Sequence, residues 1–228
     1  MKKIFIIHGW TYTLNAWDAL QSSLKRLGVE PVILHVPGLS EPSTEVWTLD
    51  KYVSWLEQKL AGEQNITLLG HSNGGRIAIA FSAKNPSKVS KLILLDSAGI
   101  VHNEFGLRFK RVVFGGIARV GKKVVGSNSF LRKVFYKIIG ARDYERAPKN
   151  MQETMKNLIS VDLSNSLSTI FTPTLILWGE NDKATPVSDA RKMHDLIKNS
   201  KLVVIPDAGH SPHQSHTSKV AEEITRFL

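Results

Sequence analysis

The sequence predicts an α/β fold, in which a mainly parallel central sheet of about six strands carries helices on both faces. Short apolar runs recur along the 228-residue chain without polar–apolar alternation, as expected for strands that are covered on both faces. Amphipathic segments with helical spacing lie between these runs, so each strand can be joined to the next by a crossover helix. One long segment without a strand predicts a helical lid inserted into this core.

Six apolar runs of four or five residues, rich in Ile, Leu and Val, are the strand candidates. They are Ile4–Ile7, Val32–Val36, Ile66–Leu69, Leu92–Leu95, Thr174–Trp178 and Leu202–Ile205. In a parallel sheet the carboxyl ends of such strands meet at one edge, so the loops that follow them are where we expect functional residues.

The helix candidates have recognisable ends. We expect Asn15 to cap the first helix and Gly28 to end it, Thr48 to cap the second, and Thr185 with Pro186 to begin a later one. The apolar positions expected to be buried are Trp17, Leu20, Leu24, Leu27, Tyr52, Val53, Leu56, Leu60, Met193, Leu196, Ile197, Val220, Ile224 and Phe227.

The alternation breaks between Leu95 and Thr174, where nearly 80 residues show helical periodicity but no clear strand. A crossover needs only about a dozen residues. We therefore expect an α/β core formed by residues 1–98 and 168–228 and a helical lid, or cap, formed by residues 99–167.

Most of the positive charge lies in this predicted lid. The chain has 30 basic and 20 acidic residues, a net charge of +10, and residues 101–150 hold twelve of the former and three of the latter. This basic stretch is either a solvated helical face or a surface for an acidic partner, such as an acyl carrier, or for a membrane surface. We expect no nucleic-acid binding, because aromatic residues are sparse there and no nucleic-acid module is recognisable.

Composition excludes several other classes of protein. With 42% apolar and 22% charged residues the chain is not disordered, and no apolar run approaches the ~18–20 residues of a membrane span. Only four apolar residues follow Lys2-Lys3, against roughly 7–15 in a secretory signal, so we expect a cytoplasmic protein. The absence of cysteine excludes disulfides, a thiolate metal site and a cysteine nucleophile.

The strongest motif is Gly70-His71-Ser72-Asn73-Gly74, which follows the third strand candidate and precedes a helical run. A Gly-x-Ser-x-Gly sequence in this strand–turn–helix context is typical of a nucleophile elbow, in which the serine hydroxyl is exposed at the edge of the sheet. The Asn73 backbone N–H then points to where an oxyanion forms. The loop after the first strand, His8-Gly9-Trp10, offers the Trp10 N–H as a second donor, with the His8 side chain in a structural role.

Two further loops supply the partners that a serine nucleophile needs. Asp182 follows the fifth strand candidate and His210 the last, so both fall on the same edge as Ser72. The imidazole takes the serine proton, and the carboxylate orients the imidazole and stabilises its charged form. Asp96, after the fourth strand candidate, is the alternative acid.

The sequence resembles the α/β-hydrolase superfamily of serine hydrolases, in the lidded branch that contains small esterases. The resemblance covers nearly the whole chain apart from the insertion. It implies that Ser72 is the nucleophile, His210 the general base and Asp182 the acid, with backbone N–H groups of Trp10 and Asn73 in the oxyanion hole. A serine nucleophile argues against dehalogenase and epoxide hydrolase chemistry, and Ser211, where carbon–carbon hydrolases of this branch carry tryptophan, argues against that activity.

We therefore expect an enzyme that hydrolyses carboxylic esters of small to medium, partly apolar substrates through an acyl-enzyme intermediate. A lactonase, a thioesterase and a ligand-binding protein with little turnover remain alternatives. Apolar groups expected near the serine or on the lid are Trp10, Tyr12, Leu39, Ile100, Phe105, Phe109 and Trp178. We expect no cofactor and no metal, because His210, His213 and His216 lack a carboxylate that would complete a ligand pattern.

Overall fold

A six-stranded, entirely parallel sheet forms the centre of the molecule, with strand order β2-β1-β3-β4-β5-β6. The computed structural model describes residues 2–101 and 147–228. The strands are β1 Lys2–Ile7, β2 Val29–Leu34, β3 Ile66–His71, β4 Val89–Leu95, β5 Thr174–Gly179 and β6 Ser200–Ile205. Each of the six predicted runs corresponds to one strand, and the predicted fold class is confirmed; only β2 is displaced, since it begins at Val29 and ends before Val36.

Helices follow the strands as crossovers. In chain order the described helices are α1 Asp18–Arg26, α2 Leu49–Lys59, α3 Asn73–Lys84, α4 Lys149–Ile159, α5 Ser164–Ser168, α6 Val187–Leu196, α7 Pro212–Ser215 and α8 Thr217–Phe227. None of these helices is both long and apolar enough to cross a lipid bilayer.

The sheet separates two apolar layers. Along β1, Phe5 and Ile7 face the layer beneath α2, α3 and α6, whereas Ile4 and Ile6 face the layer beneath α1 and α8. Residues of both faces are completely buried along β3 and β5 and mostly buried along β1 and β4, whereas the edge strands β2 and β6 are partly exposed. Burial on both faces explains why the strands are apolar throughout rather than alternating.

The predicted helices differ from the structure at their ends and in the burial of some apolar residues. Leu196 and Phe227, which were expected to be buried, are half-buried at the margins of the two apolar layers. Asn15 is the first residue of a short 3-10 turn and does not cap α1. Leu27 lies just beyond the end of α1 and is 46% exposed, because the helical spacing that would bury it stops at Arg26. Thr185 does not cap α6 either. Pro186 occupies the cap position, and the Thr185 hydroxyl donates a hydrogen bond to Asp182 instead. The Thr48 cap is confirmed, since its side chain accepts a hydrogen bond from the Lys51 N–H at 3.2 Å.

The described part of the predicted lid packs against the core. The Asn150 amide donates hydrogen bonds to the carbonyls of Ser43 and Glu45, each at 3.0 Å. On the other side, the buried Arg76 guanidinium of α3 donates to the carbonyl of Val161 at 2.7 Å. These contacts fix α4 and the chain after it to the loop that follows β2 and to the helix that follows Ser72.

Candidate active site

The candidate site lies at the carboxyl edge of the sheet, where the loops after β3, β5 and β6 converge. Ser72 directly follows β3, Asp182 lies in the loop after β5, and His210 lies in the loop after β6. Because β5 and β6 are neighbours and only β4 separates β5 from β3, three residues far apart in sequence are brought to one place.

Ser72 occupies a strained turn between β3 and α3. Its φ is +51° and its ψ is −120°, in the region that residues with a side chain rarely adopt. The Ser72 N–H donates to the carbonyl of Leu95 at 3.2 Å, and its own carbonyl accepts from the N–H groups of Gly75 and Ala98, both at 2.9 Å. These backbone bonds hold the turn and leave the hydroxyl projecting from the sheet edge.

The tight turn requires close backbone contact around it. A Cβ at Gly74 would lie 2.1 Å from the carbonyl oxygen of Ile7, and a Cβ at Gly70 would lie 2.6 Å from the carbonyl oxygen of Gly74. Only glycine allows α3 to begin this close to β1 and β3. The two glycines of the motif are therefore explained by packing as well as by the turn.

Ser72, His210 and Asp182 form one chain of hydrogen bonds. The Ser72 hydroxyl lies 2.9 Å from His210 Nε2, and His210 Nδ1 lies 2.8 Å from Asp182 Oδ2. A carboxylate oxygen can only accept, so Nδ1 carries the proton and Nε2 is free to accept the serine proton. The His210 side chain is 29% exposed, whereas that of Asp182 is 0% exposed. The chain of hydrogen bonds therefore leads from a partly exposed imidazole to a buried carboxylate.

Asp182 is held ionised by its hydrogen bonds. Its Oδ1 accepts from the N–H groups of Ala184 and Thr185, at 2.7 and 3.1 Å, and its Oδ2 accepts from the Thr185 hydroxyl at 2.7 Å. Burial raises the pKa of this carboxyl, but His210, the Thr185 hydroxyl and the Ala184 N–H outweigh burial and hold the pKa below its usual value. Thr185, which the sequence pattern placed at a helix cap, thus holds the Asp182 carboxylate in place.

His71, inside the motif, holds the loop that carries His210. Its Nε2 donates to the carbonyl of His210 at 2.9 Å, and the ring packs against the rings of Trp17, His210 and His213. Burial, followed by the charges of His213 and His210, lowers the pKa of His71 well below its usual value. His71 is therefore a neutral donor, a role that the spacing of the motif does not reveal.

Asp96, the alternative acid, also lies at this edge but does not contact His210 directly. Its Oδ1 accepts a hydrogen bond from the Gly179 N–H at 2.8 Å, and the hydrogen-bonded partner of His210 is Asp182. Carboxylate oxygens of Asp96 and Asp182 and a ring nitrogen of His210 all lie within 4.8 Å of one another. Such a group could hold a cation, but His210 and Asp182 already bond to each other and to Ser72 and Thr185.

The loop after β1 lies against Ser72. A Cβ at Gly9 would be 3.0 Å from Ser72 Cβ, so the chain that carries Trp10 passes in contact with the serine side chain. His8 is buried and supports this loop: its Nδ1 donates to the carbonyl of Gly9 at 2.8 Å, and its Nε2 accepts from the Ser40 hydroxyl at 2.7 Å. The side chain of His8 thus has the structural position expected of it, with Ser40 as a partner that the sequence did not reveal.

The predicted substrate-contacting residues fall into three groups. Leu39 and Ile100 are 6% and 7% exposed and belong to the apolar layer against which Trp10 packs. Tyr12 is 42% exposed, whereas Trp178 is completely buried and donates from its indole to the carbonyl of Thr185 at 2.8 Å. Trp178 therefore offers no surface to a substrate in this structure. Phe105 and Phe109, together with most of the basic stretch, lie outside the described residues.

The chain is similar in sequence and in fold to several known proteins. The sequence profile described as "Alpha/beta hydrolase family" matches residues 4–223. A pimeloyl-[acyl-carrier protein] methyl ester esterase from Nitrosomonas europaea is 26% identical over 234 residues, 93% of this chain and 90% of that protein. A monoacylglycerol lipase from Homo sapiens is 26% identical over 254 residues, 99% of this chain and 74% of that protein. The crystal structure of bromoperoxidase from Bacillus anthracis has a TM-score of 0.77 at 21% identity, covering 100% of this chain and 91% of that one, and shows likeness of fold alone.

The position of Thr185 makes a prediction about the reactivity of Ser72. Replacing Thr185 by Val removes the hydroxyl that donates to Asp182, and a hydrogen bond to a charged group is worth roughly 1.5–3 kcal/mol. We expect T185V to lower the rate constant for labelling of Ser72 by a fluorophosphonate about tenfold. T185S keeps the hydroxyl and should react at close to the wild-type rate; equal losses in both variants would contradict this role.

The buried histidines predict loss of stability in mild acid. Burial, followed by the charge of His210, lowers the pKa of His213 to about 4, while in the unfolded chain the pKa is near its usual value of about 6.5. A lowered histidine pKa means that the unfolded state binds the proton first, so stability present above about pH 6.5 is lost as the pH falls towards 4.

The variant H213F keeps an aromatic ring stacked on Trp17, whose centroid lies 4.2 Å from that of His213, and removes this titration. Between pH 7 and pH 4.5 we expect the wild-type free energy of unfolding to fall by roughly 1–3 kcal/mol more than that of H213F. Urea unfolding at both pH values measures the difference, with the exposed His35 replaced by Gln as a control. Parallel curves for wild type and H213F would contradict the prediction.

Proposed function

The chain belongs to the alpha/beta hydrolase family, and on that premise we propose that it is a serine hydrolase that cleaves carboxylic esters through an acyl-enzyme intermediate. The observation that carries the proposal is the unbroken hydrogen-bond relay from the Ser72 hydroxyl through His210 to Asp182. A serine hydroxyl is a poor nucleophile until a base takes its proton, and this relay supplies the base and its orienting acid.

In the acylation step Ser72 Oγ attacks the ester carbonyl while His210 Nε2 accepts the hydroxyl proton. The developing imidazolium is stabilised by Asp182, which the donors around it keep ionised. His210 then gives its proton to the departing alcohol, leaving the acyl group on Ser72. Water enters and attacks the acyl carbonyl while His210 removes one of its protons. The bond from the acyl carbon to Ser72 Oγ then breaks, His210 returns the proton to Oγ, and the carboxylic acid is released.

The tetrahedral intermediates need donors for a negative oxygen. We assign this role to the backbone N–H groups of Asn73 and Trp10. Asn73 is the first residue of α3, where unpaired N–H groups and the positive end of the helix favour an anion, and Trp10 lies in the loop that contacts Ser72. Two such donors contribute several kcal/mol to lowering the barrier.

The apolar surroundings favour a small to medium, partly apolar ester. Leu39 and Ile100 belong to the apolar layer against which Trp10 packs, and Trp10 lies in the loop that contacts Ser72. An acyl or alcohol chain of similar character would therefore bind beside this loop. Lactones and thioesters react by the same steps and are included as alternative substrates. A ligand-binding role with little turnover is the remaining alternative; it gives no chemical reason for the hydrogen-bond relay.

A second candidate substrate is an ester carried by an acidic acyl carrier protein. The Nitrosomonas europaea relative is named as an esterase of a carrier-bound methyl ester. In addition, residues 101–150 hold twelve basic and three acidic residues, a charge that complements an acidic protein. The predicted lid would then bind the carrier while Ser72 reacts with the ester.

Removal of the nucleophile tests the enzyme proposal. We expect S72A to lower the turnover of p-nitrophenyl esters by roughly 10³-fold or more and to abolish labelling by a fluorophosphonate. The control S90A replaces an exposed serine in β4 and should behave as wild type. Unchanged ester turnover in S72A would place the nucleophile elsewhere, and labelling of wild type without turnover of any ester would favour the ligand-binding alternative.

Charge reversal in the predicted lid tests the carrier candidate. Replacing Arg108, Lys110 and Arg111 by Glu should raise KM for a carrier-bound methyl ester about tenfold or more and leave KM for a free short ester unchanged, because only the carrier has the acidic surface. The matched control reverses three exposed basic residues of the core, Lys25, Lys59 and Lys198. Equal changes for both substrates, or equal effects of the two triple variants, would exclude carrier recognition by the lid.

A further inference from the structure

Asp96 is a buried carboxyl of the site that the proposed mechanism does not use. It follows β4, is 0% exposed, and has a positive φ of 42°. Its backbone N–H donates to the carbonyl of Leu177 at 3.0 Å, and its Oδ1 accepts from the Gly179 N–H at 2.8 Å. Asp96 is thereby fixed to the end of β5, from which the Asp182 loop begins.

The surroundings of the other carboxyl oxygen of Asp96 indicate that the site holds a proton in addition to the one on His210 Nδ1. Oδ2 is buried and has no hydrogen-bond partner among the described residues. The titratable groups that face the Asp96 carboxyl are Asp182 and His210, whose ligand atoms lie within 4.8 Å of it. The Thr185 hydroxyl links all three residues, since it lies 2.7 Å from Asp182 Oδ2, 3.1 Å from the Asp96 carbonyl and 3.4 Å from His210 Nδ1.

Two ionised carboxylates this close, both buried, would repel each other strongly. Burial, with the charge of Asp182, raises the pKa of Asp96 to about 9 against the opposing effect of the Gly179 N–H. Asp182 is ionised and Asp96 carries a proton, so one negative charge faces His210 at neutral pH.

We propose that Asp96 is a positioning residue that shares a single negative charge with Asp182 beneath His210 and takes over as the orienting acid when the Asp182 carboxylate is removed. The take-over follows from the geometry, because an Asp96 carboxyl oxygen lies within 4.8 Å of a ring nitrogen of His210. Without Asp182 the repulsion disappears, and the imidazolium that forms at His210 favours ionisation of Asp96 against the effect of burial. The proposal rests on the serine hydrolase function proposed above.

A double-mutant cycle with Asp96→Asn and Asp182→Ala tests this role through kcat and KM for a p-nitrophenyl ester. We expect D96N alone to lower kcat about threefold and D182A alone by roughly 10²–10³-fold, with KM little changed in either variant. In the D182A background, D96N should lower kcat by a further thirtyfold or more, because the substitute acid is lost. The control is D207N, at an exposed aspartate in the loop after β6, which should have the same negligible effect in both backgrounds.

An equal factor for D96N in both backgrounds would overturn the take-over, and a loss in D96N as large as that in D182A would make Asp96 the principal acid instead. Fluorophosphonate labelling of wild type and S72A distinguishes failure of the proposed function from failure of the role of Asp96. Unchanged labelling in S72A would contradict the proposed function. Normal labelling of Ser72, combined with independent effects of the Asp96 and Asp182 substitutions, would contradict only the role of Asp96.

A second measurement does not depend on whether D182A folds. The raised pKa of Asp96 means that stability is lost as the pH rises from about 4 towards 9, since the unfolded chain gives up this proton first. The gain in the urea midpoint produced by D96N should therefore be larger at pH 8 than at pH 5. The same gain at both values would show that Asp96 is ionised in the folded protein and would overturn the shared charge.

Discussion

The close contact of α3 with the ends of β1 and β3 is the constraint on which the rest of the site depends. It forces Ser72 into a conformation that a residue with a side chain rarely adopts, and backbone hydrogen bonds to Leu95 and Ala98 hold it there. Because Gly74 carries no side chain, the helix can start where it does. The backbone strain at Ser72 is offset by the packing of α3 against β1 and β3. The strained conformation also sets the direction of the Ser72 hydroxyl.

The charges at the sheet edge are arranged so that only one acid beneath His210 is ionised. The donors around Asp182 outweigh the effect of burial and keep its carboxyl ionised. At Asp96 burial outweighs the one donor, the Gly179 N–H, and the carboxyl keeps its proton. His71 and His213 are neutral because burial penalises their charged forms. In the proposed mechanism, an imidazolium at His210 would therefore lie next to one negative charge, and neither His71 nor His213 would add a competing positive charge.

Motifs and hydropathy patterns depend on short stretches of sequence, and they predicted the features that such stretches determine. The six strands, the elbow around Ser72 and the loops of Asp182 and His210 could be assigned because buried parallel strands are apolar throughout and because their carboxyl ends share an edge. Helix ends were less predictable. The burial of Leu27 was wrong because a spacing rule extends only as far as the helix does, and Asn15 and Thr185 resemble caps in sequence without acting as caps.

The sequence by itself determined the fold class and identified the three residues that the structure joins by hydrogen bonds. Only the tertiary structure showed that Asp182, not Asp96, bonds to His210, that the Thr185 hydroxyl donates to Asp182, and that His71 donates to the His210 loop. These contacts join segments up to 139 residues apart. Distances of a few tenths of an ångström and complete burial decide which group ionises, and neither can be obtained from a one-dimensional pattern.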